Sequence, residues 1–209
     1  MENNELEQKE VQNETREIIE KQETPPAINW KKEAFEWSQA IIIAVIIAYI
    51  IKSFLFTLVL VSGPSMQNTL QDGDRLFVYR LMYKPHDGDI VVFTPEKDKN
   101  RPYIKRVIAT EGQTININFK TAEVSVDGKV LTEKYIKMPT TQSFDVKFPV
   151  TVPAGHVFVM GDNRGNSHDS RSSTVGSYDN QNGMVKNESI MGKAMFRIWP
   201  FNQFGSLYK

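Results

Sequence analysis

The chain has 209 residues, its 25 Lys and Arg balanced by 25 Asp and Glu, and no cysteine. That length is one ordinary domain plus something extra, and the even charge gives no global basis for binding nucleic acid. Disulfides, Cys-zinc sites and thiol nucleophiles are excluded, and His86, His156 and His168 lack H-E-x-x-H spacing, so no metal or other cofactor is called for.

Residues 1–29 hold eight glutamates against Lys9, Arg16 and Lys21, and end near Pro25-Pro26. Such a stretch lacks the apolar content to offset its ordering entropy, so residues 1–35 are expected to form a disordered, acidic tail. An unbroken apolar run from Ala40 to Ile51 follows. A dozen residues are too few to span a bilayer alone. A buried core helix is one reading. The other is a transmembrane helix over 36–56, about 30 Å long, with Lys52 snorkelling at one end. The second is favoured because the run is apolar on every face and Trp30, Trp37 and Tyr49 suit interfaces. No A-x-A-like cleavage site follows, so the helix reads as an uncleaved anchor. Lys31 and Lys32 place the N-terminus in the cytoplasm by the positive-inside rule, while Lys52 votes the other way.

From Phe54 onward the pattern is one of strands. Thr57–Val61, Arg75–Arg80, Asp89–Thr94, Tyr103–Thr110 and Thr114–Phe119 are separated by turn residues at short intervals. Glu123–Val126 and Lys129–Leu131 flank Asp127-Gly128, a hairpin signal, and His156–Met160 and Lys193–Trp199 complete the set. Residues 57–209 are therefore expected to be an all-β barrel or packed-sheet domain with loop-rich excursions at about 132–153 and 172–189.

Three stretches carry possible chemistry. Ser65 lies in Ser62-Gly63-Pro64-Ser65-Met66, at a bend dictated by Gly and Pro. Lys105 interrupts the apolar strand Tyr103–Ile108, with Tyr103, Val107 and Ala109 expected on its own face. A lysine among apolar neighbours loses hydration, which lowers its pKa and frees a neutral amine to act as a base. The third stretch is the dense polar loop Gly161-Asp162-Asn163-Arg164-Gly165-Asn166-Ser167-His168-Asp169-Ser170-Arg171. A serine nucleophile needs a base, and two are available: Lys105, or His168 in a Ser–His–Asp arrangement with Asp169.

These three stretches, in this order behind one apolar segment, resemble the bacterial type I signal peptidase family over about residues 36–204. The polar loop is the most specific part of the likeness. The resemblance implies a membrane-bound serine endopeptidase that removes signal peptides from secretory preproteins with small residues at −1 and −3. Ser65 of the G-x-S-M motif and Lys105 of the Y-x-K-R motif would form a Ser–Lys dyad working through an acyl-enzyme. The Ser65 backbone N–H would be an oxyanion donor. Some members add a serine hydroxyl two residues earlier, where this chain has Gly63. Ser167 would hydrogen-bond the Lys105 amine, Asp162 would pair with Arg106, and Asp169 with Arg171. The catalytic domain would be extracytoplasmic. Contact with the lipid bilayer is one reading of the apolar Phe54, Leu55, Phe56, Trp199 and Phe201, and ordinary core packing is the other for Trp199 and Phe201. The chain departs from the family pattern at Asn68, often proline, and at Ala109–Gln113, often G-x-P-G-D. A non-catalytic, membrane-anchored paralogue that binds preproteins is the alternative, and the presence of both Ser65 and Lys105 argues against it.

Overall fold

The computed structural model describes residues 11, 13, 15–17, 29–179 and 182–208, so the expectation of a disordered tail over 1–28 lies almost wholly outside them. The chain divides into two compact units, Met1–Tyr49 and Ile50–Lys209.

Helix α1 covers Trp30–Phe54 and therefore starts ahead of Glu36, so that residues 30–35 are helical instead of belonging to the tail. The cause is local. The Asn29 side chain accepts from the Lys32 N–H at 3.3 Å, an N-cap, and Glu33 sits in the first turn, where a negative charge complements the helix dipole. Trp30–Ile51 is long and apolar enough to cross a membrane, and none of its most hydrophobic window is buried. The side chain of Lys52, expected to snorkel, lies outside the described residues.

The second unit is all-β, as expected. Strands β1 (Phe56–Leu60), β2 (Arg75–Tyr79), β3 (Ile90–Phe93) and β4 (Tyr103–Thr110) are joined by β9 (His156–Met160), β10 (Val185–Lys186), β11 (Ile190–Trp199) and β12 (Gly205–Ser206). They form a curled sheet of order β1-β2-β11-β3-β4-β9-β10, with β12 pairing to β11. A four-stranded sheet of order β7-β6-β5-β8 is built from β5 (Thr114–Asn118), β6 (Glu123–Val126), β7 (Lys129–Val130) and β8 (Val150–Thr151). All the strand pairs are antiparallel. Asp127 and Gly128 both take positive φ, 50° and 77°, as a two-residue hairpin matched to strand twist requires.

Strand β4 lies in the interior of the larger sheet. It pairs with β3 on one side and β9 on the other, and Ile104 through Ala109 are all buried. The alternation expected along it holds only as far as Val107. The register shifts between Val107 and Ala109, and beyond the shift Ile108 and Ala109 enter one core cluster together. A bulge breaks the period of two, so Ala109 does not share Lys105's surroundings. The pairing sets Arg106 opposite Met160, the last residue of β9. The polar loop that opens at Gly161 therefore starts beside the middle of β4.

Candidate active site

The backbone leaves β1, passes Gly63 at φ 91° and turns through Ser65. Positive φ is readily taken only by glycine, which explains the residue at 63. The turn is held at both ends. The Gly63 N–H donates to Asp72 Oδ1 at 2.7 Å, and Met66 and Leu70 are buried in the core beneath. Asn163 clamps it from the polar loop: its backbone N–H donates to the Ser65 carbonyl at 3.0 Å, and its Nδ2 donates to the Pro64 carbonyl at 3.1 Å. Ser65 itself is half-buried, and its own backbone N–H makes no hydrogen bond among the described residues.

Lys105 Nζ lies 2.8 Å from Ser65 Oγ and 3.1 Å from the Ile104 carbonyl oxygen. Only 4% of Lys105 is exposed. Burial pulls its pKa down from 10.5 to about 8, although the carboxylates of Asp169 and Asp162 pull the other way. The Tyr103 ring faces the amine at 5.3 Å. A nearly dry lysine in contact with a half-exposed hydroxyl is the arrangement that proton transfer from serine requires.

The polar loop surrounds this pair. Arg106 grips Asp162 with two bonds, Nε to Oδ1 at 2.9 Å and Nη2 to Oδ2 at 2.7 Å, and donates to the Gly88 carbonyl at 2.8 Å. The Thr69 hydroxyl, from the same loop as Ser65, donates to the same carboxylate. Arg171 holds Asp169 through Nε at 2.8 Å and Nη2 at 2.9 Å, with both residues fully buried. Burial alone would raise the Asp169 pKa, but Arg171 and the Gly161 N–H outweigh it and hold the carboxyl below the usual range. These are paired charges with most polar atoms satisfied, the condition under which buried ions can be tolerated.

Ser167 stands differently from the expectation. It is buried, yet its hydroxyl makes no hydrogen bond to Lys105. It lies near Asp169 without the geometry of a bond, pressed against Gly161. The lysine amine is instead turned to Ser65 and to its neighbour's carbonyl. His168 also stands apart. It is exposed, contacts Thr174 Oγ1 at 2.8 Å through Nε2, and meets the edge of Phe144. Asp169, its supposed partner in a triad, is occupied by Arg171.

Two residues that sequence reasoning passed over complete the site. One is Asn163, the clamp on the Ser65 turn. The other is Glu133, whose carboxylate takes both terminal nitrogens of the fully buried Arg164, at 2.8 and 2.5 Å. Arg164 Nε donates to the Gly161 carbonyl at 3.0 Å. The stretch after β7, which looked like a peripheral excursion, thus braces the loop. It also contributes the Lys137 N–H to the Asp162 carbonyl at 2.9 Å and the Ile136 carbonyl to Asn68 Nδ2 at 3.3 Å. A buried arginine in the loop, with both aspartates already assigned, was the one available signal that a further carboxylate had to come from elsewhere. Among the described residues no group of His, Asp and Glu is arranged to hold a metal ion.

The sequence model of the family described as signal peptidase, peptidase S26, matches residues 34–199. Signal peptidase I of Bacillus licheniformis is 39% identical over 185 residues, covering 84% of this chain and 94% of its own length. Signal peptidase IB of Staphylococcus aureus (strain N315) is 34% identical over 192 residues, 83% of this chain and 94% of the relative. Among solved structures, a signal peptidase I from Enterococcus faecalis is 28% identical, with a TM-score of 0.43, covering 54% of this chain and 98% of that one.

Proposed function

Because the chain belongs to the signal peptidase family, peptidase S26, and is accordingly a serine endopeptidase that processes signal peptides, we propose that it does so with Ser65 and Lys105 as a nucleophile–base dyad. One observation carries the assignment: a buried amine, its pKa lowered to about 8, in hydrogen-bond contact with Ser65 Oγ at 2.8 Å.

Neutral Lys105 accepts the Ser65 hydroxyl proton as Oγ attacks the scissile carbonyl carbon. Negative charge collects on the carbonyl oxygen, and the unengaged Ser65 N–H is the donor assigned to it in this reading; one such donor typically contributes about 3 kcal/mol. Collapse breaks the C–N bond. The new amino terminus leaves with the proton that Lys105 held, and the signal peptide remains as an ester on Ser65. Lys105, neutral again, takes a proton from water as its oxygen attacks the ester carbonyl; collapse expels Ser65 Oγ, which takes that proton back from Lys105, and the signal peptide leaves with a free carboxyl terminus. Asp162–Arg106 and Asp169–Arg171 act on the reaction only by fixing the polar loop that clamps the Ser65 turn.

In this reading the substrate lies as an extended strand along the free edge of β1, which pairs with β2 alone and exposes Leu58 and Leu60. Small residues at −1 and −3 are the preference that follows from family membership. α1 anchors the enzyme, with the N-terminus cytoplasmic and the catalytic unit on the opposite side. The exposed Phe54, Trp199 and Phe201 are candidates for lipid contact.

The test is intact-mass analysis of a preprotein bearing an Ala-x-Ala site, incubated with the full chain in detergent. Cleavage after the −1 alanine is expected from the parent and from His168→Ala, and neither from Ser65→Ala nor from Lys105→Ala. Activity in Lys105→Ala with loss in His168→Ala would overturn the dyad in favour of a histidine base. Binding without cleavage by the parent would point to the non-catalytic alternative.

A further inference from the structure

The turn between β2 and β3 has no part in the chemistry above, yet its build is unusual. β1 and β2 run antiparallel, with Phe56 opposite Tyr79 at the end nearest α1. The ladder continues one step further, where the Arg80 N–H donates to the Leu55 carbonyl at 2.9 Å. The residues that follow, Leu81 and Met82, therefore project beside the point where α1 ends at Phe54.

The turn is pinned on its far side as well. The Tyr83 hydroxyl donates to Asp89 Oδ2 at 2.7 Å, and its ring packs on the core. Between these two fixings the chain exposes apolar side chains to solvent, with Met82 91% and Leu81 40% exposed. Phe54, next to them, is 65% exposed. Met82 also has φ 47°, a left-handed conformation that Gly or Asn adopts at less strain. A large apolar residue held at the tip of a rigid turn, in a conformation unsuited to it, favours neither solubility nor local stability. It calls for a partner.

Charge indicates which partner. Arg80 and Lys84 flank the tip, both exposed, and neither forms an ion pair among the described residues. Glu188 lines the same groove as Arg80, Leu81 and Met82, without pairing to Arg80. Position then indicates where that partner lies. The 22 residues of Trp30–Ile51 extend about 33 Å at ~1.5 Å per residue, close to the ~30 Å hydrocarbon core of a bilayer. If α1 spans, Phe54 and the turn tied to it through Leu55 lie at headgroup level. Trp199 pairs with Arg75, at the opposite end of β2, about 14 Å away along the strand at ~3.4 Å per residue. The turn is thus separate in place from the Trp199–Phe201 pair.

We propose that the Leu81–Met82 turn inserts its apolar tip into the bilayer surface beside the anchor, with Arg80 and Lys84 on the phosphates of anionic phospholipids. The inference rests on the reading of α1 as a membrane span. Interfacial depth suits an apolar tip with cationic shoulders, and a contact on the sheet side of the helix end would restrict how the catalytic unit swings about it.

The chain has no cysteine, so single labelling sites can be introduced cleanly. Met82→Cys, Ile46→Cys in α1 and Lys120→Cys in the β5–β6 turn are labelled with an environment-sensitive fluorophore. The full chain is then reconstituted in phosphatidylcholine vesicles with and without phosphatidylglycerol. Expected is a blue-shifted emission at 82, quenched by headgroup-labelled lipid, stronger with phosphatidylglycerol, and losing that added part in the Arg80→Gln, Lys84→Gln background. Position 46 should be quenched by deep acyl labels and 120 only by aqueous quencher. A probe at 82 that behaves like 120 while 46 sits in lipid overturns the inference and leaves the anchor standing. Water exposure at both 82 and 46 overturns the anchor and the inference with it. A phosphatidylglycerol effect that survives the double Gln substitution overturns the role given to the two cations.

Discussion

Lys105 should set rate and stability in opposite directions. Its pKa falls from 10.5 to about 8 because burial disfavours the charged amine. That gap corresponds to about 3 kcal/mol between the two protonation states at 1.36 kcal/mol per pH unit. Between pH 8 and 10.5 the unfolded chain binds the proton more readily than the folded one, so stability rises with pH across this window. Below about 8 the full penalty is present. Lys105→Met removes it, and with it the bonds to Ser65 Oγ and the Ile104 carbonyl, worth about 1 kcal/mol each. The variant should be inactive and about 1 kcal/mol more stable at pH 7, a rise of about 2–4 °C in melting temperature for a domain of this size. The gain should vanish near pH 9 and become a loss of about 1 kcal/mol at pH 10. In the parent, the neutral fraction of an amine with pKa about 8 rises about tenfold between pH 7 and 9, and kcat/KM for a soluble peptide should follow it. Thermal melts in detergent at the two pH values, with a pH–rate profile, make the check. A flat profile, or a Lys105→Met variant destabilised equally at both pH values, would refute the account.

Gly161→Ala should cost about a hundredfold in kcat, since an added Cβ would sit 2.5 Å from the Ser65 carbonyl oxygen and closer still to Ser167 Oγ, displacing the nucleophile. Gly165→Ala is the control, because its Cβ would meet only the end of the Met138 side chain, at 3.1 Å, and its activity should stay within about twofold. Glu133→Ala should destabilise the fold by about 3 kcal/mol, read by thermal melting, because it leaves the fully buried Arg164 guanidinium without its carboxylate.

Much of the β scaffold could be read along the chain, because each strand carries its own signal. His156–Met160 and Tyr103–Thr110 are apolar runs bounded by turn residues, and Asp127-Gly128 specifies its turn by conformation alone. The helix start could have been read further upstream from Asn29, whose side chain caps the first turn, but the apolar run drew attention to residue 40 and beyond. What local pattern could not carry was pairing at a distance. Glu133 and Arg164 are 31 residues apart, in stretches without periodicity, and nothing on either side marks the other as its partner. The bulge in β4 was equally hidden, since Ile108 and Ala109 are both apolar and fit either face.

That bulge bears on why the site exists at all. Arg106 and Lys105 are neighbours on one strand, yet Arg106 must meet Asp162 while Lys105 must meet Ser65. Both contacts depend on where β9 hands over to the polar loop, and the register that decides it is Arg106 opposite Met160. A slip of one residue in that pairing would reverse every side chain of β9 and carry Gly161 and Asp162 away from β4. The bulge between Val107 and Ala109 absorbs the mismatch further along, so the pairing at Arg106 need not propagate unchanged to Thr110. Met160, Phe158, Ile108 and Ala109 can then fill one core together. The reactive pair is therefore held by core packing a few residues away, and the ion pairs of the loop act on a register already chosen by apolar burial.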